Sequence, residues 1–177
     1  GGNNLTNDIA IGLRAPHVEA EKIKKKFGSC VAQNINPEET IEVPGMGGRE
    51  PRKLSRQILG EILEPRMEEI FQLVQREIIR SGMENMIPSG VVITGGSALL
   101  EGVNDIAESF FNLPCRIGKP RAITGLVDVV NNPMYATGVG LVLYGVRNQD
   151  SSKFRIRDKN IFNRVFTRMK RWFNDVV

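Results

Sequence analysis

The run "GVVITGG", Gly90–Gly96, constrains this chain most. It is apolar without alternation and stops at two glycines, the pattern expected of a parallel strand covered on both faces. A helical stretch follows over Val103–Phe111, with Val103, Ile106, Ala107 and Phe110 on one side, and then a short strand "CRIG" closed by "KP". Asn132-Pro133 is a helix start, an N-cap followed by proline in the first turn. Ala136, Gly138 and Gly140 would keep that helix thin enough to lie close to a neighbouring backbone. Strand, helix, strand, helix over Gly90–Val146 predicts an α/β fold. The carboxyl edge of a parallel strand is where open α/β sheets bind ligands. Gly95 and Gly96 therefore have two readings: a plain turn, or a place where a flat or anionic ligand meets main-chain N–H groups, with the Ser97 hydroxyl beside it.

Upstream, "LTNDIAIGL" predicts a short helix with Thr6 as N-cap and Ile9, Ile11 and Leu13 along it. "PHVEAEKIKKKFG" predicts a second, with Pro16 at its start, acids early, Lys24–Lys26 late and Gly28 as its stop. That lysine run either compensates the helix dipole or faces a ligand. Cys30–Val43 predicts a hairpin, "CVAQNI" and "TIEV" joined by "NPEE", with the glycine-rich "PGMGGREP" as a loop. The loop lacks the Lys-Ser/Thr of a phosphate cradle. The longest helical signal is Lys53–Ser81, with apolar residues three or four apart from Leu54 to Ile78. Pro65 lies inside it and predicts a kink or break near Glu64.

Composition excludes several function classes. No run of about 18 apolar residues exists to cross a membrane as a helix. Cys30 and Cys115 lack metal-ligand spacing and are expected to be reduced core residues, consistent with a cytosolic protein. His17 is the one histidine; it reads as a surface or helix-start residue, so no His-based catalytic pair and no metal site is expected. The chain opens on Gly1 rather than Met and reads as a fragment or processed piece.

Charge is segregated. Residues 153–177 hold eight Lys/Arg against two Asp, leaving 16 basic and 18 acidic groups in the first 152 residues. A basic end on a mildly acidic body points to an anionic surface. After the polar linker 148–160, "NIFNRVFTRMKRWFNDVV" places Ile161, Phe162, Val165, Phe166, Met169, Trp172, Phe173 and Val176 within an arc of roughly 140° at about 100° per residue. Arg164, Arg168, Lys170 and Arg171 fall outside that arc. A core helix, a coiled-coil seam and an interfacial membrane helix all use such stripes. The aromatic face, the flanking cations and a length of about 25 Å favour the helix lying in a membrane surface. The membrane-inserting residues are then Phe162, Phe166, Trp172 and Phe173, with Arg164, Arg168, Lys170 and Arg171 at anionic headgroups. Nucleic acid is disfavoured, because stacking platforms interleave aromatics with charges.

"VVITGGSALLEGV" resembles the adenosine loop of the actin, Hsp70 and sugar-kinase ATPase superfamily. "LTNDIAIGL", "AEKIKKKFG", "EPRKLSRQILGEILEPRMEEIFQLV", "PCRIGKP" and "ITGLVDVVNNPMYATGVGLVLYG" are similar, in that order, to the C-terminal half of the bacterial cell-division FtsA family.

That resemblance implies a ribonuclease H-like, actin-like α/β half with an inserted small α+β subdomain and a C-terminal amphipathic helix. Residues 1–14 and 83–147 would form the core subdomain, 15–82 the insertion, 148–160 the linker and 161–177 the membrane-targeting helix. It implies ATP as ligand, held by Gly95, Gly96 and Ser97 on one side and by Glu21 and Lys24 on the other. Glu21 would accept ribose hydroxyls and the stem of Lys24 would cover one face of the base. Mg²⁺ would be held by the half that is missing here, and no catalytic residue is assigned. The implied partners are the C-terminal peptide of the tubulin-like protein FtsZ, docked at Arg66 with Arg52 and Lys53 nearby, anionic inner-membrane lipids, and further copies of the protein in filaments. The implied location is the cytoplasmic face of the inner membrane at the division site. Arg66 equally reads as a surface ion pair. A soluble kinase or other ATPase of the same superfamily is the alternative, and the basic amphipathic end argues against it.

Overall fold

The computed structural model describes residues 1–45, 47, 50–121 and 130–148. The chain divides into two units, Gly1–Val139 and Gly140–Val177. In chain order, the first unit contains α1 (Gly2–Leu13), α2 (His17–Phe27), β1 (Thr40–Val43), β2 (Arg52–Ser55), α3 (Gln57–Arg80), β3 (Val91–Ile93), α4 (Val103–Phe111) and β4 (Cys115–Ile117). Helix α5 (Ala136–Arg147) begins in the first unit and ends in the second.

Helix period decides what α1 to α4 bury. Leu5, Ile9 and Leu13 line one face of α1, Ala20 and Ile23 one face of α2, and Leu59, Leu63, Met67 and Phe71 one face of α3. With Ile41 and Val43 of β1 and Val103, Ile106 and Ala107 of α4 they form a single apolar cluster. It draws on all three of the sequence ranges 1–14, 15–82 and 83–147. Phe71, Phe110 and Phe111 close it as a ring cluster with centroids 5.3–6.0 Å apart.

β3 and β4 pair in parallel, Val91 with Cys115 and Ile93 with Ile117, and α4 makes the crossover between them. Val91 and Ile93 pack on the core while Val92 is 51% exposed. β3 is therefore covered on one face among the described residues, not on both as its unbroken apolar run predicts. α4 matches its predicted span, and Asn132 caps the turn into α5 by accepting the Met134 N–H at 3.1 Å.

Three other expectations are corrected. The hairpin forms between β1 and β2, antiparallel with Ile41 opposite Leu54, and not between Cys30–Ile35 and β1. The chain after α2 is drawn away instead: the Cys30 N–H donates to the Glu101 carbonyl at 2.7 Å, and the Ala32 N–H donates to Glu64 Oε2 at 3.0 Å. Residues Ala32–Asn34 then form a 3₁₀ turn. Thr6 is not an N-cap, because α1 already starts at Gly2; it is fully buried inside the helix. Pro65 does not break α3, which runs through it from Gln57 to Arg80. Pro65 and Glu61 both lie on the exposed side, so the carbonyl that loses its partner there is on the wet face.

Gly60 sits in the first turn of α3, where the turn at Ala32 crosses it. A Cβ on Gly60 would stand 2.6 Å from Ala32 Cα and 3.0 Å from its backbone nitrogen. In an open helix Gly→Ala stabilises by about 1 kcal/mol. Here the sign reverses: Gly60→Ala should lower stability by about 1–3 kcal/mol, the range for overpacking. Thermal unfolding checks it, and a raised midpoint would contradict the close approach.

Candidate functional site

β3 is followed by Thr94, whose hydroxyl donates to the Gly118 carbonyl at 2.9 Å. Gly95 then turns the chain with φ 99, ψ 175, a conformation that a Cβ strains. Its N–H donates to the Pro133 carbonyl at 3.0 Å, so it is already paired. Gly96 starts the 3₁₀ turn Gly96–Leu99. Nothing lies within 4 Å of a Cβ built on Gly95, and only Met134 Cβ, at 4.0 Å, approaches one built on Gly96. Among the described residues, nothing crowds the space that side chains would take at the two glycines.

The turn carries Ser97 towards the start of α1. Ser97 Oγ stands 3.0 Å from where a Cβ on Gly2 would be, and Lys24 Nζ stands 3.7 Å from the same point. The glycine loop and α2 therefore meet at Gly2, although 73 residues separate Lys24 from Ser97.

α2 presents Glu21 and Lys24 there, one turn apart. Lys24 is 7% exposed. Its ammonium donates to the Gly2 carbonyl (3.0 Å) and Thr6 Oγ1 (2.8 Å), and it pairs with Glu21 Oε2 at 2.6 Å. A buried cation is tolerable only when its donors are matched in this way. The Lys24 ammonium is thus held between α1 and Glu21. The neighbouring Lys25 has a side chain 70% exposed and reaches Glu21 Oε1 at 3.3 Å. Partial burial alone would raise the Glu21 pKa. Hydrogen bonds from Lys24, Thr6 and Lys25 and the Lys24 charge outweigh it, and bring the carboxyl from 4.5 down to about 2.

The other predicted residues lie elsewhere in the unit. Arg66 on α3 makes a two-pronged contact with Asp8 on α1, through Nε to Oδ2 and through Nη2 to Oδ1 at 3.1 Å, and also pairs with Glu69. Arg52 Nη2 donates to the Leu13 carbonyl at 2.6 Å, satisfying an end of α1. Lys53 on β2 is exposed. Phe162, Phe166, Trp172, Phe173, Arg164, Arg168, Lys170 and Arg171 lie outside the described residues, and no helix of the described residues is long and apolar enough to cross a membrane. Cys30 is fully enclosed; burial, with Glu64 adding to it, pushes its thiol up to about 12, which removes it as a nucleophile.

Sequence reasoning missed the buried hydrogen bonding of Thr6 and missed Arg56, which joins Phe27, Glu39 and Glu101 through one guanidinium. Thr6 lies on the buried stripe of α1, one residue after Leu5, and a polar residue on an apolar stripe was the available signal.

A profile of the family described as cell division protein FtsA matches residues 1–140. The chain belongs to the FtsA family. It is 45% identical over 97% of its length to cell division protein FtsA of Pseudomonas aeruginosa, of which it covers 42%. It is 41% identical over 81% of its length to that of Escherichia coli, covering 36% of it. The chain thus spans less than half the length of these relatives. Among solved structures it resembles MreB 5 of Spiroplasma citri bound to AMPPNP, with TM-score 0.65 at 20% identity, covering 84% of this chain and 44% of that one. The same protein bound to ADP gives 0.58 at 20% identity, covering 86% and 46%. These likenesses establish the fold: FtsA-family chain and MreB share the actin-like α/β architecture expected from the sequence.

The depressed Glu21 pKa has a sign that can be tested. A carboxyl lowered on folding stabilises above its unfolded value and loses that contribution as pH falls through its folded value. Glu21→Gln should therefore unfold more easily than wild type at neutral pH, and the gap should close between about pH 4.5 and pH 2. A gap independent of pH would mean that the carboxylate charge is not what α2 uses.

Proposed function

We propose that the full-length protein is an actin-like, ATP-binding division protein that links an FtsZ polymer to the cytoplasmic face of the inner membrane at the division site. The observation that carries the nucleotide part is that Ser97, next to Gly95-Gly96, reaches the start of α1 where Lys24, the partner of Glu21, also arrives. Glu21 keeps a carboxylate at neutral pH and has Oε1 toward the exposed Lys25, so it can accept ribose hydroxyls. Gly96 would supply backbone without an obstructing Cβ, and Ser97 a hydroxyl. ATP would supply phosphates and its Mg²⁺, which fall to parts of the protein beyond this chain. Residues 15–82 act as the inserted subdomain on the core formed by 1–14 and 83–147. Filament formation with further copies fits the actin-like fold.

FtsZ's C-terminal peptide would dock along β2 and α3. Lys53 and Arg52 are exposed cations on β2, while Arg66 is held by Asp8 and Glu69, so an acidic peptide must exchange with those carboxylates to reach it. For the same reason Arg66→Glu would set three acids against each other and unfold α1 from α3, which makes it a poor probe of docking. Membrane attachment rests on the aromatic, basic segment 161–177.

Two measurements test this reading. Gly96 does not have the positive φ of Gly95, and its Cβ position is clear. Gly96→Val in the full-length protein should therefore cost at least about tenfold in ATP affinity with little change in melting temperature; unchanged affinity removes the glycine loop from the site. Trp172 is the sole tryptophan in the chain. In this chain its emission should shift to the blue on adding anionic vesicles, and salt should weaken the shift. An unmoved emission removes the tether.

A further inference from the structure

Thr6 is fully buried on a helix face that is otherwise Leu5, Ile9 and Leu13. Its hydroxyl lies 2.5 Å from Glu21 Oε2 and 3.0 Å from the Gly2 carbonyl, and it accepts from Lys24 Nζ at 2.8 Å. A hydroxyl has one proton to give. The Gly2 carbonyl is already served by Lys24, so the Thr6 proton goes to Glu21. Glu21 Oε2 thus receives two donors, Thr6 and Lys24, and Oε1 is left on the side of the exposed Lys25. Lys24 holds the charge of the carboxylate in place. The charge alone does not fix which way its plane is turned; a second donor on the same oxygen, from a different helix, does.

We propose that Thr6 is a positioning residue for the nucleotide site: its hydroxyl, given from α1, sets the carboxylate of Glu21 so that Oε1 meets the ribose hydroxyls. The inference rests on the nucleotide reading given above. It assigns Lys24 the same supporting role from within α2, and leaves Glu21 as the group of the three that touches ligand. A second consequence follows from the same bonds. The Gly2 carbonyl and Thr6 both belong to α1, so the ribose contact is built on α1 and is sensitive to any shift of that helix start.

The test compares ATP with 2′,3′-dideoxy-ATP, which lacks both ribose hydroxyls, on the full-length protein. Wild type should favour ATP. Thr6→Val keeps the shape and removes the hydroxyl; it should weaken ATP by about tenfold, leave dideoxy-ATP within about twofold, and so erase most of the preference. Thr6→Ser should restore both to within about twofold of wild type. If wild type binds neither nucleotide, or binds both equally, the ribose reading of Glu21 fails and the role of Thr6 falls with it. If wild type discriminates but Thr6→Val keeps the same ratio, or loses both affinities in parallel with its melting temperature, Thr6 is structural and the proposal alone is overturned. Should Thr6→Val not fold, Thr6→Cys, with a small side chain but a weak donor, is read by the same ratio.

Discussion

The ammonium of Lys24 holds this half-molecule in register. A lysine so nearly enclosed must find acceptors for its protons or lose its charge. The acceptors come from two helices: the Gly2 carbonyl and Thr6 from α1, Glu21 from α2. Satisfying that one cation fixes how α2 lies on the start of α1, where Ser97 Oγ also stands 3.0 Å from a Cβ built on Gly2. The proposed site would thus be assembled by the same contacts that seat the helices. Substitutions at Gly2 or Lys24 are expected to disturb the seating of α2 on α1.

Three arginines extend the pattern around the core. Arg66 ties α3 to Asp8 on α1, Arg52 ties β2 to the end of α1, and Arg56 ties the chain before α3 to Phe27, Glu39 and Glu101. Apolar burial along α1, α2, α3 and α4 supplies the bulk of the stability. These guanidiniums choose among the ways such stripes can pack, because an arginine fork accepts only acceptors in its plane. Glu101 lies two residues beyond the 3₁₀ turn of the glycine loop, so the Arg56 contact also connects that loop to the β1–β2 hairpin region.

What could be read in the sequence follows from how local its cause is. Helices α2 and α4 and the start of α5 announce themselves through period, proline and glycine punctuation, and a cap, all within one turn. The hairpin was misplaced because Cys30–Ile35 has strand-forming residues whose backbone partners are distant: a carboxylate on α3 and a carbonyl at Glu101. Pro65 was read as a breaker because sequence does not show that its face of α3 is wet. The glycine pair, Ser97, Glu21 and Lys24 were legible as a set only through family resemblance, since 70 residues of chain lie between Lys24 and Gly95. Thr6 was missed because its role is defined by what α2 brings to it. The burial of Lys24 was missed for the same reason; a lysine at the end of an exposed-looking helix gives no sign that it points inward.

The central claim is that the loop at Gly95 and Gly96 and the carboxylate of Glu21 form one nucleoside site. A crystal structure of the full-length protein with a non-hydrolysable ATP analogue tests it most directly. The account predicts the nucleoside over Gly95-Gly96, ribose hydroxyls at about 3 Å from Glu21 Oε1, and Thr6 and Lys24 still bonded to Oε2. A nucleotide seated away from the glycine loop, or a Glu21 carboxylate bonded to Thr6 and the lysines alone with the analogue present, would contradict it.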